Sequence, residues 1–346
     1  MIDIPKALLI LLFILTKTVA QNIPDQISLY PVMIENKYGY IDKTGQVVIK
    51  PQFDYAWPFS GHLAMVELNE KVGFIDTTGK IVIEPRYDYA TNFREGVAAI
   101  LIGEWDEGKW GFINQEGQVI IEPRFDYAQG FSQARAVVGL GSLEYMNYGY
   151  IDITGTIKIP TKYQDASDFC EDLAAVRLND LYGYIDTSGQ IIIKPQFLKA
   201  RPFRDGLAAV GVITQDHIFL DKWGYIDKTG ELVIKVQYDE AFDFSQGIAR
   251  VMVFDEYYNG YYGFINKTGS YISPPKYQDA YDFSEGLAAV KLDDKWGYID
   301  SAGRFLIEPT YESARPFING LAKVTIMGKE AYIDKSGRVI WQETNK

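Results

Sequence analysis

A chain of 346 residues that is 47% hydrophobic and 14% aromatic has ample material for a packed core, which excludes an intrinsically disordered class. A formal net charge of −12 excludes the basic footprint that nucleic-acid binding requires. The lone cysteine, Cys170, excludes an intramolecular disulfide and reads as a packed thiol, with an intermolecular bridge as the lesser alternative.

Residues 1–20 read as a signal peptide. Lys6 closes a short n-region, Ala7 to Leu15 is apolar, and Thr18-Val19-Ala20 forms a small-x-small cleavage site before Gln21. The apolar run is too short to span a hydrocarbon layer of about 30 Å. The expectation is therefore an exported chain, periplasmic, cell-surface or extracellular, with no transmembrane span once the signal is removed. Residues 21–346 read as a single repeat domain.

The repeat is anchored on an aromatic-Gly pair, at Gly39, Gly73, Gly111, Gly149, Gly183, Gly224, Gly263 and Gly297, at spacings of 34 to 41 residues. A ninth, degenerate copy has Glu330-Ala331. A period in this range marks a solenoid, propeller or array. Counted from the second glycine of each unit (Gly45 in the first, Gly303 in the last full one), the residue eleven positions on is always Ala. Fourteen on is always Phe: Phe59, Phe93, Phe131, Phe169, Phe203, Phe244, Phe283 and Phe317. All length variation falls between the Ala-x-Val stretch and the next aromatic-Gly pair, so that segment is a loop and the remainder a rigid unit.

Within one unit, Leu287 to Leu292 predicts a first strand and Lys295-Trp296-Gly297-Tyr298-Ile299-Asp300 a second. Glycine inside the second strand implies a bulge or close approach. Asp300-Ser301-Ala302-Gly303 is a turn. Phe305 to Ile307 is a third strand, which Pro309 is expected to end. Tyr311 to Phe317 is expected to form a short helical turn that packs Phe317 between units.

This succession, K-W-G-Y-I-D, x-x-G, V-I-x-P, Y-x-x-A, x-x-F, G-L-A-A-V, resembles the WG (KWG) repeat family of bacterial proteins over nearly all of residues 28–341. The departures are local: Val72 and Glu330-Ala331 lose the aromatic, Val236 replaces the proline, and Pro160 sits one position early. The resemblance implies a β-rich repeat scaffold, often exported, with no common catalytic activity, cofactor or partner.

A three-stranded meander cannot bury its apolar face alone. About eight full units with half-units at both ends favour an all-β, open, curved solenoid of stacked meanders. A closed β-propeller is the alternative. Ile27 to Asp42 and Ala331 to Trp341 are then the terminal caps that an array requires.

Little in the sequence carries chemistry. The recurrent aspartates after the aromatic strand (Asp42, Asp76, Asp152 and their equivalents) read as turn residues, because one carboxylate per unit does not make a calcium site. The aromatic before glycine reads as packing. The Tyr-Asp pairs read as linker, since Gln164, Leu198 and Gln278 break the pattern. No phosphate loop, dinucleotide fingerprint, zinc motif or nucleophile elbow is present. The expectation is a non-enzymatic chain with no cofactor and no metal.

Function is expected where the units differ. The long hairpin tips at 103–109, 139–147, 214–222 and 255–261 carry Trp105, Tyr145, Phe219, Tyr257 and Tyr258 beside Glu107, Asp216 and Glu256. All four tips hold the same place in the unit and should emerge on one edge, as a surface for a glycan or protein ligand. The repeat phenylalanines from Phe93 to Phe317 and Gly111, Gly224 and Gly297 are assigned structural roles. The resulting expectation is an exported binding scaffold at the cell envelope, with an envelope glycan hydrolase or lyase and a purely structural spacer as alternatives.

Overall fold

The structure, a computed structural model, describes residues 28–142, 144–214 and 217–344. The expected signal peptide at 1–20 and Asp216 lie outside the described residues. The alternating aromatic segments form strands, as read from the sequence: β1 (Tyr30–Ile34), β2 (Lys37–Ile41), β3 (Val47–Phe53), β4 (Tyr55–Ala56), β5 (Leu63–Leu68), β6 (Lys71–Asp76) and β7 (Ile81–Tyr87). β1-β2-β3 is one antiparallel sheet and β4-β5-β6-β7 the next; seven more sheets repeat the second pattern. These nine blades are numbered in chain order. Blade 1 spans residues 30–53, blade 2 spans 55–87, blade 3 spans 89–125, blade 4 spans 127–163, and blade 5 spans 165–197; blades 6 to 9 run on from Lys199 to Gln342.

Each full blade therefore has four strands rather than three. The additional strand carries the repeated Ala and is two residues long except in blade 7, where it spans Glu240–Ser245; it pairs with the strand that follows it, as in Tyr55↔Glu67 and Ala56↔Val66. The expected helical turn is absent: between Ala56 and Leu63 the chain has no helical residue and closes with a tight turn at Gly61-His62 under a single bridge, Ser60↔Leu63. Proline does not end the third strand either. Phe305–Tyr311 runs through Pro309, because the register shifts between Trp296↔Tyr311 and Tyr298↔Ile307. This bulge frees the proline position from donating to the ladder. The facing glycine is obligatory: a Cβ on Gly297 would lie 2.6 Å from the Ile307 carbonyl oxygen and 2.7 Å from the Pro309 nitrogen.

The core lies between blades. Each repeat phenylalanine packs back onto the aromatic that follows glycine in the preceding blade, as in Phe59 on Tyr40 at 5.0 Å and Phe131 on Phe112 at 5.3 Å. Such pairs contribute roughly 0.5–1.5 kcal/mol beyond the apolar area they bury. Where that partner is Tyr, its hydroxyl also donates to the linker carbonyl, as Tyr40 does to Trp57 and Tyr298 to Arg315, both at 2.8 Å.

The blades form a closed ring, a nine-bladed β-propeller, which corrects the open solenoid in favour of the alternative. The turn glycine of each blade faces the last strand of the blade before it: Gly79 against Ile49, Gly117 against Ile83, and so on to Gly337 against Ile307. The same contact closes the circle, with Gly45 of blade 1 against Ile340 of blade 9. Tyr30, Val32 and Ile41 share one cluster with Leu321 and Tyr332. The two ends are therefore neighbours and not caps. A repeated head-to-tail interface gives a filament or a ring according to whether its rotation closes, and the repeat period carries no information about that rotation.

Candidate ligand-binding site

The linkers between each blade's short first strand and the strand after it contact one another from blade to blade, as Ser132 Oγ does in donating to the Phe169 carbonyl at 2.7 Å. Arg94 in the linker of blade 3 reaches Asp168 in the linker of blade 5 at 2.9 Å, past the whole of blade 4. Burial pushes the Asp168 carboxyl above its usual range, against the opposing pull of Arg94 and Arg204. Its Oδ1 is buried with no hydrogen-bond partner among the described residues.

Beside this ion pair lies a cavity of about 500 Å³ built by blades 2 to 5. Trp57, Tyr89, Trp105 and Tyr127 form its aromatic walls, with Trp110 behind them, while Thr91, Asn92 and Gln129 supply polar groups. The tip residue Trp105 stands edge-on to Tyr89 at 5.5 Å and to Trp110 at 5.8 Å, so its indole is fixed by packing although it is 58% exposed. Gln129 Nε2 donates to the Tyr127 hydroxyl at 2.8 Å, and Thr91 Oγ1 accepts from Ala99 N at 3.0 Å. Aromatic faces beside amide and hydroxyl groups suit a ligand with apolar faces and a hydroxylated edge.

The predicted tip residues are only partly brought together. Trp105 and Glu107 belong to the tip of blade 3, Tyr145 to blade 4, and Glu256, Tyr257 and Tyr258 to blade 7. All four hairpin tips hold the same place in their blades, but only Trp105 lines this cavity. Tyr145, Tyr257 and Tyr258 project to solvent; Tyr258 has φ 62° and packs on Phe254 at 6.3 Å. Phe219 lies on the strand His217–Ile226. The aromatics before glycine are packed inward, with Trp110, Trp223 and Trp296 buried.

Four of the lining residues, Trp57, Thr91, Asn92 and Gln129, fall outside the sequence-based list. A signal for them exists. The two positions between the repeated Ala and Phe read Trp-Pro, Thr-Asn, Gln-Gly, Ser-Asp, Arg-Pro, Phe-Asp, Tyr-Asp and Arg-Pro inside an otherwise rigid phase.

The recurrent acids serve structure. Asp42 Oδ1 accepts from Thr44 N at 2.8 Å, Thr44 Oγ1 at 2.7 Å and Gln46 N at 3.1 Å, which holds its carboxyl below the usual range. The aspartate of the Tyr-Asp pairs caps the following hairpin tip, as Asp54 does for Asn69 N at 2.8 Å and Asp88 for Gly103 N at 2.8 Å. Gln164 and Gln278, which broke the pattern in sequence, cap Asp180 N and Asp294 N in the same way. His62 is exposed at its turn, and Cys170 is a free, half-buried thiol. No helix among the described residues is long and apolar enough to cross a membrane.

The family model described as WG containing repeat matches the chain eight times, at residues 38–71, 73–104, 110–143, 148–182, 182–212, 223–258, 262–296 and 296–329. A comparison with curated proteins finds no match. Among solved structures the chain is similar to a eukaryotic initiation factor, at 12% identity and TM-score 0.63, over 92% of this chain and 96% of that one. Looser similarity links it to the β-propeller domain of the Trilobed protease from Pyrococcus furiosus, at 11% identity and TM-score 0.44, over 75% and 100% of the two chains. The tricorn protease aligns at 10% identity and TM-score 0.41, over 90% of this chain and 43% of that one.

Proposed function

From the premise that the chain belongs to the WG-containing repeat family, we propose that it is an exported, non-enzymatic binding scaffold that holds a glycan at the cell envelope. The observation that carries this reading is the cavity in which Trp57, Tyr89, Trp105 and Tyr127, drawn from three successive blades, surround Thr91, Asn92 and Gln129. The apolar faces of sugar rings stack on indole and phenol rings, and the amide and hydroxyl groups take up the sugar hydroxyls. The site works by preformed shape, since its rings are held by one another and by blade packing. It uses no cofactor and no metal. Export rests on the signal-like residues 1–20, and an acidic chain disfavours nucleic acid as the ligand.

Calorimetric titration of the chain with a panel of soluble envelope oligosaccharides tests the reading. Saturable binding of one class, weakened about tenfold or more by Trp105→Ala with no change in unfolding temperature, supports it (tenfold being about 1.4 kcal/mol). Absence of binding across the panel, or turnover of the oligosaccharide that does bind, overturns it.

A further inference from the structure

A second cavity, of about 300 Å³, lies at the seam where blade 9 meets blades 1 and 2. We propose that it binds a small amphipathic anion, an acyl carboxylate whose chain enters the apolar interior and whose charge rests on Arg315 and Lys323. This goes beyond the glycan reading and rests on different residues.

The seam differs from the other inter-blade contacts in a way that explains the cavity. At the junctions of the other blades, a linker phenylalanine packs onto the aromatic after glycine of the preceding blade, as Phe317 does on Tyr298 at 4.8 Å. In blade 9 the equivalent aromatic is Tyr332, and among the described residues its ring partners are Tyr30 at 5.5 Å and Trp341 at 6.4 Å, with no phenylalanine. The floor and walls are apolar, formed by Leu29, Phe59, Leu321 and the ring of Tyr332. Trp57 forms a wall shared with the larger cavity.

Charge selects the ligand. In a chain with 46 acidic residues against 34 basic ones, the charged residues lining this cavity are Arg315 and Lys323, and no carboxylate lines it. Arg315 is exposed; one of its guanidinium nitrogens is hydrogen-bonded to the Tyr281 hydroxyl, and the guanidinium lies 5.6 Å from the Tyr281 ring centroid. Lys323 pairs with Glu330 at 2.5 Å. An apolar cavity lined by Arg315, which has no carboxylate partner among the described residues, and by Lys323, whose partner Glu330 is outside the lining, takes an apolar body carrying a negative head. A neutral alcohol of the same length fills the same volume but leaves the charge-assisted hydrogen bonds unmade.

The test is fluorescence titration of the full chain with 8-anilinonaphthalene-1-sulfonate, followed by competition with decanoate and with decanol. The expected result is one saturable site per chain, from which decanoate displaces the probe and decanol at equal concentration does not. Arg315→Gln and Ile318→Asp, the latter placing a carboxylate at an exposed position of the lining, should each weaken decanoate binding about tenfold, a change of about 1.4 kcal/mol. The exposed, non-lining Met327→Asn should leave it unchanged. Circular dichroism on each variant separates lost binding from lost folding. Absence of a saturable site, equal displacement by decanol, failure of decanoate to compete, or undiminished binding in both folded variants overturns the proposal. Glycan binding to the larger cavity is scored separately, so either proposal can fail alone.

Discussion

The hydroxyl of Tyr332 donates a 3.0 Å hydrogen bond to the carbonyl oxygen of Pro31, joining residues 301 positions apart in the chain. This bond takes the place at the seam of the tyrosine-to-linker bonds seen inside the array, such as Tyr184 to Arg201 at 2.8 Å. Tyr332→Phe should therefore destabilise the chain by about 1–3 kcal/mol, because the Pro31 oxygen loses a partner in a largely apolar setting. Urea denaturation measures it; an unchanged midpoint would mean that the seam is open to water.

The seam glycine gives a second prediction. Gly45 has φ +87°, and a Cβ there would lie 2.3 Å from the Ile340 carbonyl oxygen. Gly61 has φ +64° and nothing within 4 Å. Both Gly→Ala changes incur backbone strain of about 1 kcal/mol or more. Only Gly45→Ala also pushes blades 1 and 9 apart, so its loss of stability should exceed that of Gly61→Ala. Equal losses would contradict the inter-blade contact.

Phe131, buried against Phe112, represents the repeat phenylalanines. Phe131→Ala should cost about 3–5 kcal/mol, the range for truncating a large aromatic in a core that cannot collapse. Chemical denaturation followed by tryptophan fluorescence reads this directly, and a cost near that of a surface change, about 0.5 kcal/mol, would remove the phenylalanines from the core.

Much of this was legible in the sequence, and the remainder was hidden for physical reasons. The fixed phases of Ala and Phe announced a repeated packing interface, and Asp-x-x-Gly announced its turn. Phe59 on Tyr40 and the Asx turn at Asp42 are those signals in three dimensions. Tyr55–Ala56 is too short to show a period, so the fourth strand was read as linker. Pro309 was read as a strand end because a bulge moves the ladder off proline without leaving a mark beyond the facing glycine. Ring closure depends on the rotation per blade, to which a one-dimensional period is blind. The cavity-lining residues Thr91, Asn92 and Gln129 lie in a segment whose repeated Ala and Phe mark it as packing, whereas the hairpin tips stand out by length.

The titrating groups set the response to pH. Hydrogen bonds from the turn hydroxyl and backbone N–H groups hold Asp76, Asp186 and Asp227 below the usual carboxylate range. A group whose folded pKa is depressed contributes stability above its unfolded value, about 3.9 for Asp, and loses it as pH falls further. Stability to urea should thus fall below about pH 4. Asp186→Asn, which keeps the accepting oxygen as Asn114 and Asn266 do, should show a shallower fall. At the alkaline end burial raises the phenols, Tyr238 up to about 12. Folding then resists ionisation, so stability should drop as pH rises past the unfolded value near 10. Ultraviolet titration should show these phenols ionising together with unfolding; ionisation near pH 10 in the folded chain would contradict their burial.

The closed ring is the claim on which the fold and the seam cavity depend, and one distance tests it. Spin labels at Lys43→Cys and Val339→Cys, in a Cys170→Ser background, mark the turn of blade 1 and the last strand of blade 9. Facing sheets pack about 10 Å apart, so in a ring, pulsed dipolar spectroscopy should return a single short distance on the scale of one sheet-to-sheet contact plus the label arms. A distance several times longer would place blades 1 and 9 at opposite ends of an open array and remove the seam cavity.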